Sequence, residues 1–246
     1  MKKDQIGLIT ILASSGLALV GYTYLTPPVR TKAFIEDITL FQSFPLDVPM
    51  YVERFLLAFL LLGVLPAITA LVFHVGPKSA GLTTKLFPVK PVHLILLLGA
   101  GVAIGAIGSV FGELDSQYPY LRSLSSLVRS RGWIFFIAHA FAYLLLYYLP
   151  WEFLFRGVLV LGLLEKTEVD RWPLSAAAVA IASFQSLPST LLHFGHPFTE
   201  TLMALPLGLA LGIVVLRCGS IVPGFVFHAA TGISLDLFIV LREVAR

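Results

Sequence analysis

Seven stretches of this chain contain no aspartate, glutamate, lysine or arginine: residues 5–29, 55–77, 91–112, 132–151, 172–199, 201–216 and 218–235. Most are near the roughly 20 residues that an α-helix needs to cross the hydrocarbon core of a bilayer. A charge at mid-bilayer costs at least about 2.5 kcal/mol even on insertion scales, so charge-free windows mark membrane spans more sharply than helix propensity does. Within lipid each backbone polar group must be satisfied inside its own segment, and these runs are too long and too uniformly apolar for the alternating strands of a barrel. The sequence therefore predicts an all-α, polytopic membrane protein of about seven (six to eight) transmembrane helices.

Composition closes the other routes. Charged residues make up 13% of the 246 and apolar or aromatic ones 57%, with a mean hydropathy of +0.90. A soluble domain carries about 25% charge, so a water-soluble enzyme is excluded. The single cysteine, Cys218, cannot form an internal bridge, which removes a disulfide scaffold; beside Arg217 at a window edge it reads as a reduced bystander. The seventeen Lys and Arg residues lie scattered in short loops rather than along one stripe, so the net charge of +3 does not indicate nucleic acid. Lys2 and Lys3 ahead of the apolar run 6–25 resemble a signal peptide, but Gly21-Tyr22-Thr23-Tyr24 offers no small-x-small cleavage pattern before Pro27-Pro28. An uncleaved signal anchor is expected. The two lysines favour a cytoplasmic N-terminus, while Lys and Arg totals elsewhere are similar on the two sides and leave the orientation open. Connections are short and carry turn chemistry, at Pro45 to Pro49, Gly76-Pro77 with Gly81, and Pro88 with Pro91. No soluble domain fits between the windows, so 1–246 is expected to be a single transmembrane domain. No internal repeat suggests a transporter built from duplicated halves.

Two charges interrupt an apolar helix. Glu152 and Arg156 follow the run from Trp133 to Pro150 and precede Val158 to Leu164. At spacing i, i+4 they lie about 40° apart around the axis, where carboxylate and guanidinium meet. A snorkelling pair at a helix boundary is one reading; a functional carboxylate held by its arginine is the other. Such a carboxylate beside a wet cavity can take a proton from water. Two further polar residues fall at or within apolar windows: His193, in Ser189-Thr190-Leu191-Leu192-His193-Phe194-Gly195-His196-Pro197, and His228, within Ser220 to Leu235. Each histidine alone reads as a hydrogen-bonded structural residue, whereas one carboxylate and two histidines on three separate spans form a more specific constellation around a polar intramembrane cavity. His74 and His93 flank loops and are expected at the interface. His139 lies four residues before Tyr143, which predicts a local contact between them, and His196, Pro197 and Glu200 read as a loop leading into the next helix that is able to gate the cavity. Ser183, Ser186 and Ser189 lack the glycine-x-serine-x-glycine elbow, and His193 to His196 has neither the spacing nor the glutamate of the zinc-protease motif.

The ordered set Glu152-Phe153-Leu154-Phe155-Arg156-Gly157, then Leu192-His193-Phe194-Gly195, then His228 resembles the CAAX prenyl protease and bacteriocin-processing family of intramembrane glutamic proteases. The likeness covers roughly residues 145–240, the core that carries the motifs. It implies an all-helical intramembrane endopeptidase in which Glu152 is the general base, Arg156 orients it, and His193 and His228 serve the oxyanion. Three departures accompany it. Trp151 stands where the family's first motif has a glutamate, Ser189 where the second has a phenylalanine, and Gly232 where the third has asparagine or aspartate four residues after the histidine. Asp236 is about 12 Å from His228 along an ideal helix and cannot replace that side chain. Thr231, Ser234 or a backbone group bared by Gly232 is nearer, and divergent bacterial members carry a similar glycine.

The resemblance thus implies hydrolysis of a peptide bond in a membrane-associated or lipidated protein or peptide, with membrane lipids as surroundings, no nucleic acid, no cofactor, and residence in a prokaryotic cytoplasmic membrane. Two alternatives use the same residues: a metal-dependent protease with a two-histidine, one-carboxylate site, and a non-catalytic scaffold or immunity protein.

Overall fold

A computed structural model of the chain describes residues 3–26, 32–83, 90–167, 169–170 and 174–246. Lys2, Pro27-Pro28 and Pro88 lie outside them. The described residues form helices joined by turns, with no strand. Six helices are long and apolar enough to cross a membrane. They are α1 (Lys3–Leu25), α2 (Asp47–Val72), α3 (Pro91–Gly108), α5 (Ile134–Thr167), α7 (Phe198–Cys218) and α8 (Val222–Val244). Two shorter helices are α4 (Leu124–Arg131) and α6 (Ala176–Leu191). The chain is an integral membrane protein.

The fifth charge-free window behaves differently from the expectation. Its helix, α6, has 16 residues, about 24 Å at 1.5 Å per residue, short of a bilayer core. Ser175 caps its start, accepting from the Ala178 amide at 3.1 Å. At its other end the chain leaves the helix through Gly195, whose φ of 93° belongs to the left-handed region, and Pro197 starts α7. This turn carries His193 and His196. α7 in turn ends on Gly219 at φ 66°, a left-handed C-cap.

Prolines shape α2 and α5 without breaking them. A π-helical stretch, Ala58–Val64, precedes Pro66, and a second, Tyr143–Tyr148, precedes Pro150. A proline ring collides with the carbonyl four residues back, here Leu62 or Leu146, and a widened turn at that place relieves the collision. A third π-helical stretch, Phe153–Gly162, starts directly after Glu152 and is buried along its length. α5 is thereby the central helix, surrounded by α2, α6, α7 and α8.

α3 and α8 pack through small residues. A Cβ on Gly101 would lie 2.7 Å from the Phe227 carbonyl, and one on Gly105 would overlap the Ser234 hydroxyl. This is the close approach that a glycine-xxx-glycine face permits between spans. A buried polar chain ties α2, α5 and α8: Tyr51 Oη meets His139 Nδ1 at 2.8 Å, and His139 Nε2 meets Asp236 Oδ2 at 2.8 Å. His139 does stack near Tyr143, with ring centroids 4.7 Å apart, but its hydrogen-bond partners are Tyr51 and Asp236. The expectation of a purely local contact is corrected: both ring nitrogens in an apolar interior need partners, and neighbouring helices supply them. His74 follows α2 and His93 opens α3, each at a helix end.

Candidate active site

Glu152 lies two residues after Pro150 on α5 and is completely buried. Arg156 Nη1 donates to its Oε1 at 2.9 Å, one helical turn on. From α8, His228 Nδ1 meets the same oxygen at 2.9 Å. A carboxylate oxygen only accepts, so the proton of this contact sits on Nδ1 and His228 Nε2 is left for other work. Oε2 of Glu152 has no hydrogen-bond partner among the described residues and rests against Gly224, where a Cβ would overlap it. Gly224 stands one turn before His228 on the same face of α8, so the helix approaches the carboxylate closely enough for the imidazole to reach it. Sequence reasoning passed over this glycine.

A cavity of about 320 Å³ opens in front of this group. Arg156 and His228 line it, whereas Glu152 lies behind them; the His228 side chain is 27% exposed and that of Glu152 0%. His193 lines the same cavity from the turn after α6. Trp151 stands between the two imidazoles, edge-on to each, with centroids 5.7 Å from His193 and 6.1 Å from His228. Glu152, Arg156, His193 and His228 are therefore brought to one place. Much of the rest of the lining is apolar and includes Ile104, Phe111, Met203, Leu207 and Leu235.

Around Gly232, α8 packs closely against α5. Thr231 lines the cavity, but its hydroxyl donates to the Phe227 carbonyl at 2.9 Å within its own helix. Gly232 is buried, and the space a side chain would fill there is taken by the Tyr148 hydroxyl; a Cβ would meet that oxygen, with Tyr148 Cζ only 2.7 Å away. The Tyr148 ring packs against His228 at 4.8 Å. A hydroxyl from α5 thus occupies the space that a side chain at position 232 would enter.

Glu200 belongs to the site rather than to a loop beside it. In the first turn of α7, its Oε1 accepts from Tyr118 Oη at 2.7 Å and contacts His196 Nδ1 at 2.9 Å. His193 Nε2 is 3.7 Å from the same oxygen, and His193 Nδ1 meets the Ser189 carbonyl at 2.8 Å. Burial lowers the pKa of His193 below the ordinary imidazole value, with the Glu200 charge the first influence opposing it. Burial first, and then the Glu200 charge, hold the Tyr118 phenol well above its usual range, so it stays a donor. Among the described residues no three His, Cys, Asp or Glu side chains are placed to hold a metal ion.

Comparison with known proteins bears on this part of the chain. Residues 133–234, which run from the start of α5 into α8, match the family model described as type II CAAX prenyl endopeptidase Rce1-like. Neither the curated proteins nor the solved structures compared with the chain matched it. Residues 133–234, the stretch similar to this family of CAAX prenyl endopeptidases, carry Glu152, Arg156, His193 and His228.

Proposed function

We propose that the protein hydrolyses a peptide bond of a membrane-associated or lipidated protein or peptide in this cavity, with water activated by Glu152 acting together with His228. The observation that carries the reading is the buried Glu152–Arg156–His228 unit, in which the imidazole reaches the cavity and the carboxylate stands behind it. Water attacks the carbonyl carbon while His228 Nε2 takes its proton, and the Glu152 carboxylate stabilises the imidazolium so formed. That proton then passes to the leaving amine as the carbon–nitrogen bond breaks. A carboxylate that holds an imidazole in one tautomer and supports its charge is the logic of the hydrolytic triads, here with water as nucleophile. Arg156 keeps the carboxylate in place. His193 and the Tyr148 hydroxyl face the same cavity as donors for the oxyanion; removing one such donor costs about 10²- to 10³-fold in rate. The apolar lining suits the hydrocarbon of a lipidated substrate.

The reading includes a prokaryotic cytoplasmic membrane as the location and needs no metal. Its test is Glu152→Gln, assayed on an internally quenched peptide ending in a farnesylated cysteine and three further residues, in detergent micelles. Turnover is expected to fall at least about a hundredfold, because His228 loses the carboxylate that fixes its tautomer and supports its charge as base, and unchanged turnover refutes the assignment. Chelators are expected to leave the wild-type rate unaltered; inhibition reversed by zinc favours the metal-dependent alternative. A Glu152→Gln variant that fully complements a deletion strain favours the scaffold.

A further inference from the structure

The cavity holds a second carboxylate that the peptidase reading leaves unused. Glu200 Oε2 is buried with no hydrogen-bond partner among the described residues, while Oε1 gathers Tyr118, His196 and, at 3.7 Å, His193 Nε2. The side chains of Glu200 and His193 are each 16% exposed, and both line the cavity. A fixed carboxylate in so enclosed a place needs a reason, because burying a charge is costly unless its partners repay it.

The hydrogen bonding of His193 supplies one. Its Nδ1 lies 2.8 Å from the Ser189 carbonyl, which only accepts, so Nδ1 carries a hydrogen. In the neutral ring Nε2 is then a bare lone pair, able to accept but not to donate. An oxyanion needs a donor. His193 can serve one only when Nε2 also carries a proton, that is, as the imidazolium. Its surroundings otherwise oppose that state: Trp151 on α5 gives an apolar ring edge, His228 on α8 and His196 in the same turn are cations when protonated, and Arg156 on α5 lines the same cavity as a permanent one. Glu200 is the anion that faces Nε2.

We propose that Glu200 is a positioning residue that makes the protonated, donating form of His193 available to the oxyanion. The separation of 3.7 Å is longer than a hydrogen bond, so the carboxylate supports the charge while leaving the Nε2–H free to turn to substrate. Tyr118 and His196 hold Glu200 in that place. The inference rests on the peptidase reading for its consequence in turnover, but not for the protonation of His193.

Two measurements test it. With the farnesylated peptide in micelles, Glu200→Gln is expected to lower kcat about tenfold near pH 7.5 with KM little changed. It is also expected to move the alkaline limb of the pH–rate profile down by about one unit or more, since an opposite charge within about 4 to 6 Å shifts a pKa by that order. Glu200→Asp is expected to restore part of the shift, which a purely structural role for Glu200 would not produce. An unmoved profile, or movement of the acid limb instead, overturns the proposal. Nitrogen-15 NMR of histidine-labelled wild-type chain, with His193→Gln for assignment, reads the ring directly and needs no variant of Glu200 to fold. Nδ1 is expected to stay protonated throughout while Nε2 gains its proton on lowering the pH; a His193 that remains neutral from about pH 8 to 5, below the ordinary imidazole range, overturns it. Glu152→Gln run alongside separates the two ideas. If it retains turnover the peptidase reading fails, and if it is inactive while Glu200→Gln leaves the profile unmoved, only the role of Glu200 fails.

Discussion

Placing a single methyl group at Gly232 is expected to disturb the site from outside its charged centre. In Gly232→Ala the new Cβ overlaps the Tyr148 hydroxyl, and Tyr148 Cζ lies 2.7 Å from it. Carbon atoms rest at about 3.5 to 4.0 Å, so the ring has to retreat by about 1 Å. Room for that is lacking, because the ring is packed against His228 at 4.8 Å, Tyr143 at 4.9 Å and Tyr147 at 5.5 Å. Overpacking of this kind costs about 1 to 3 kcal/mol. If the strain passes to His228, its 2.9 Å contact with Glu152 loosens as well, at about 1.5 to 3 kcal/mol for a charge-assisted bond. Catalysis is more sensitive still, since a misplacement near 1 Å costs about a hundredfold. The assay pairs thermal unfolding in detergent with turnover of the farnesylated peptide. A double-mutant cycle with Tyr148→Phe isolates the contact: deleting the hydroxyl removes the worst overlap, so Gly232→Ala is expected to be milder on the Phe background than on the native one. A Gly232→Ala protein with native melting temperature and native turnover, or additive effects in the cycle, refutes the packing described for Gly232 and Tyr148.

Other perturbations have distinct signatures. Arg156→Leu leaves the Glu152 charge buried on His228 alone and is expected to destabilise by about 3 to 5 kcal/mol, with Arg156→Lys intermediate because an ammonium is a point charge without the guanidinium fork; urea or thermal unfolding ranks the three. Gly105→Leu is expected to pry α3 from α8 and to lower the melting temperature sharply, whereas Gly99→Leu, with no atom within 4 Å of its would-be Cβ, stays near wild type. Asp236→Asn removes the charge from the Tyr51–His139–Asp236 chain, which does not line the cavity. It is expected to cost about 1.5 to 3 kcal/mol of stability with kcat within about twofold, and a selective loss of turnover would contradict that separation.

Much of the site was legible because charge is so costly in lipid. Glu152 and Arg156 break an apolar run and meet at one helical turn, and both appear in the structure as that pair. Glu200 carried the same signal, as the one charge between the windows 172–199 and 201–216, yet its nearness to Pro197 made it read as loop. The spacing of Gly101 and Gly105 on α3 stands in the sequence too, but only the packing against α8 gave it meaning. Tyr148 and Gly224 were not legible: a tyrosine among aromatic neighbours and a glycine in an apolar helix carry no mark of the side chain that will meet them.

Alone, the amino-acid sequence determined what each segment is: apolar runs that lipid turns into helices, and the residues whose charge or imidazole requires a partner inside them. Tertiary structure decided who those partners are. It set His228, from 76 residues away in the chain, on the Glu152 oxygen, put the Tyr148 hydroxyl over Gly232, and turned Glu200 toward His193. Helix formation follows from interactions within a segment, which the order of residues specifies. Which faces of separate helices meet depends on packing among segments distant in sequence, where a missing Cβ or a widened turn is enough to redirect the contact.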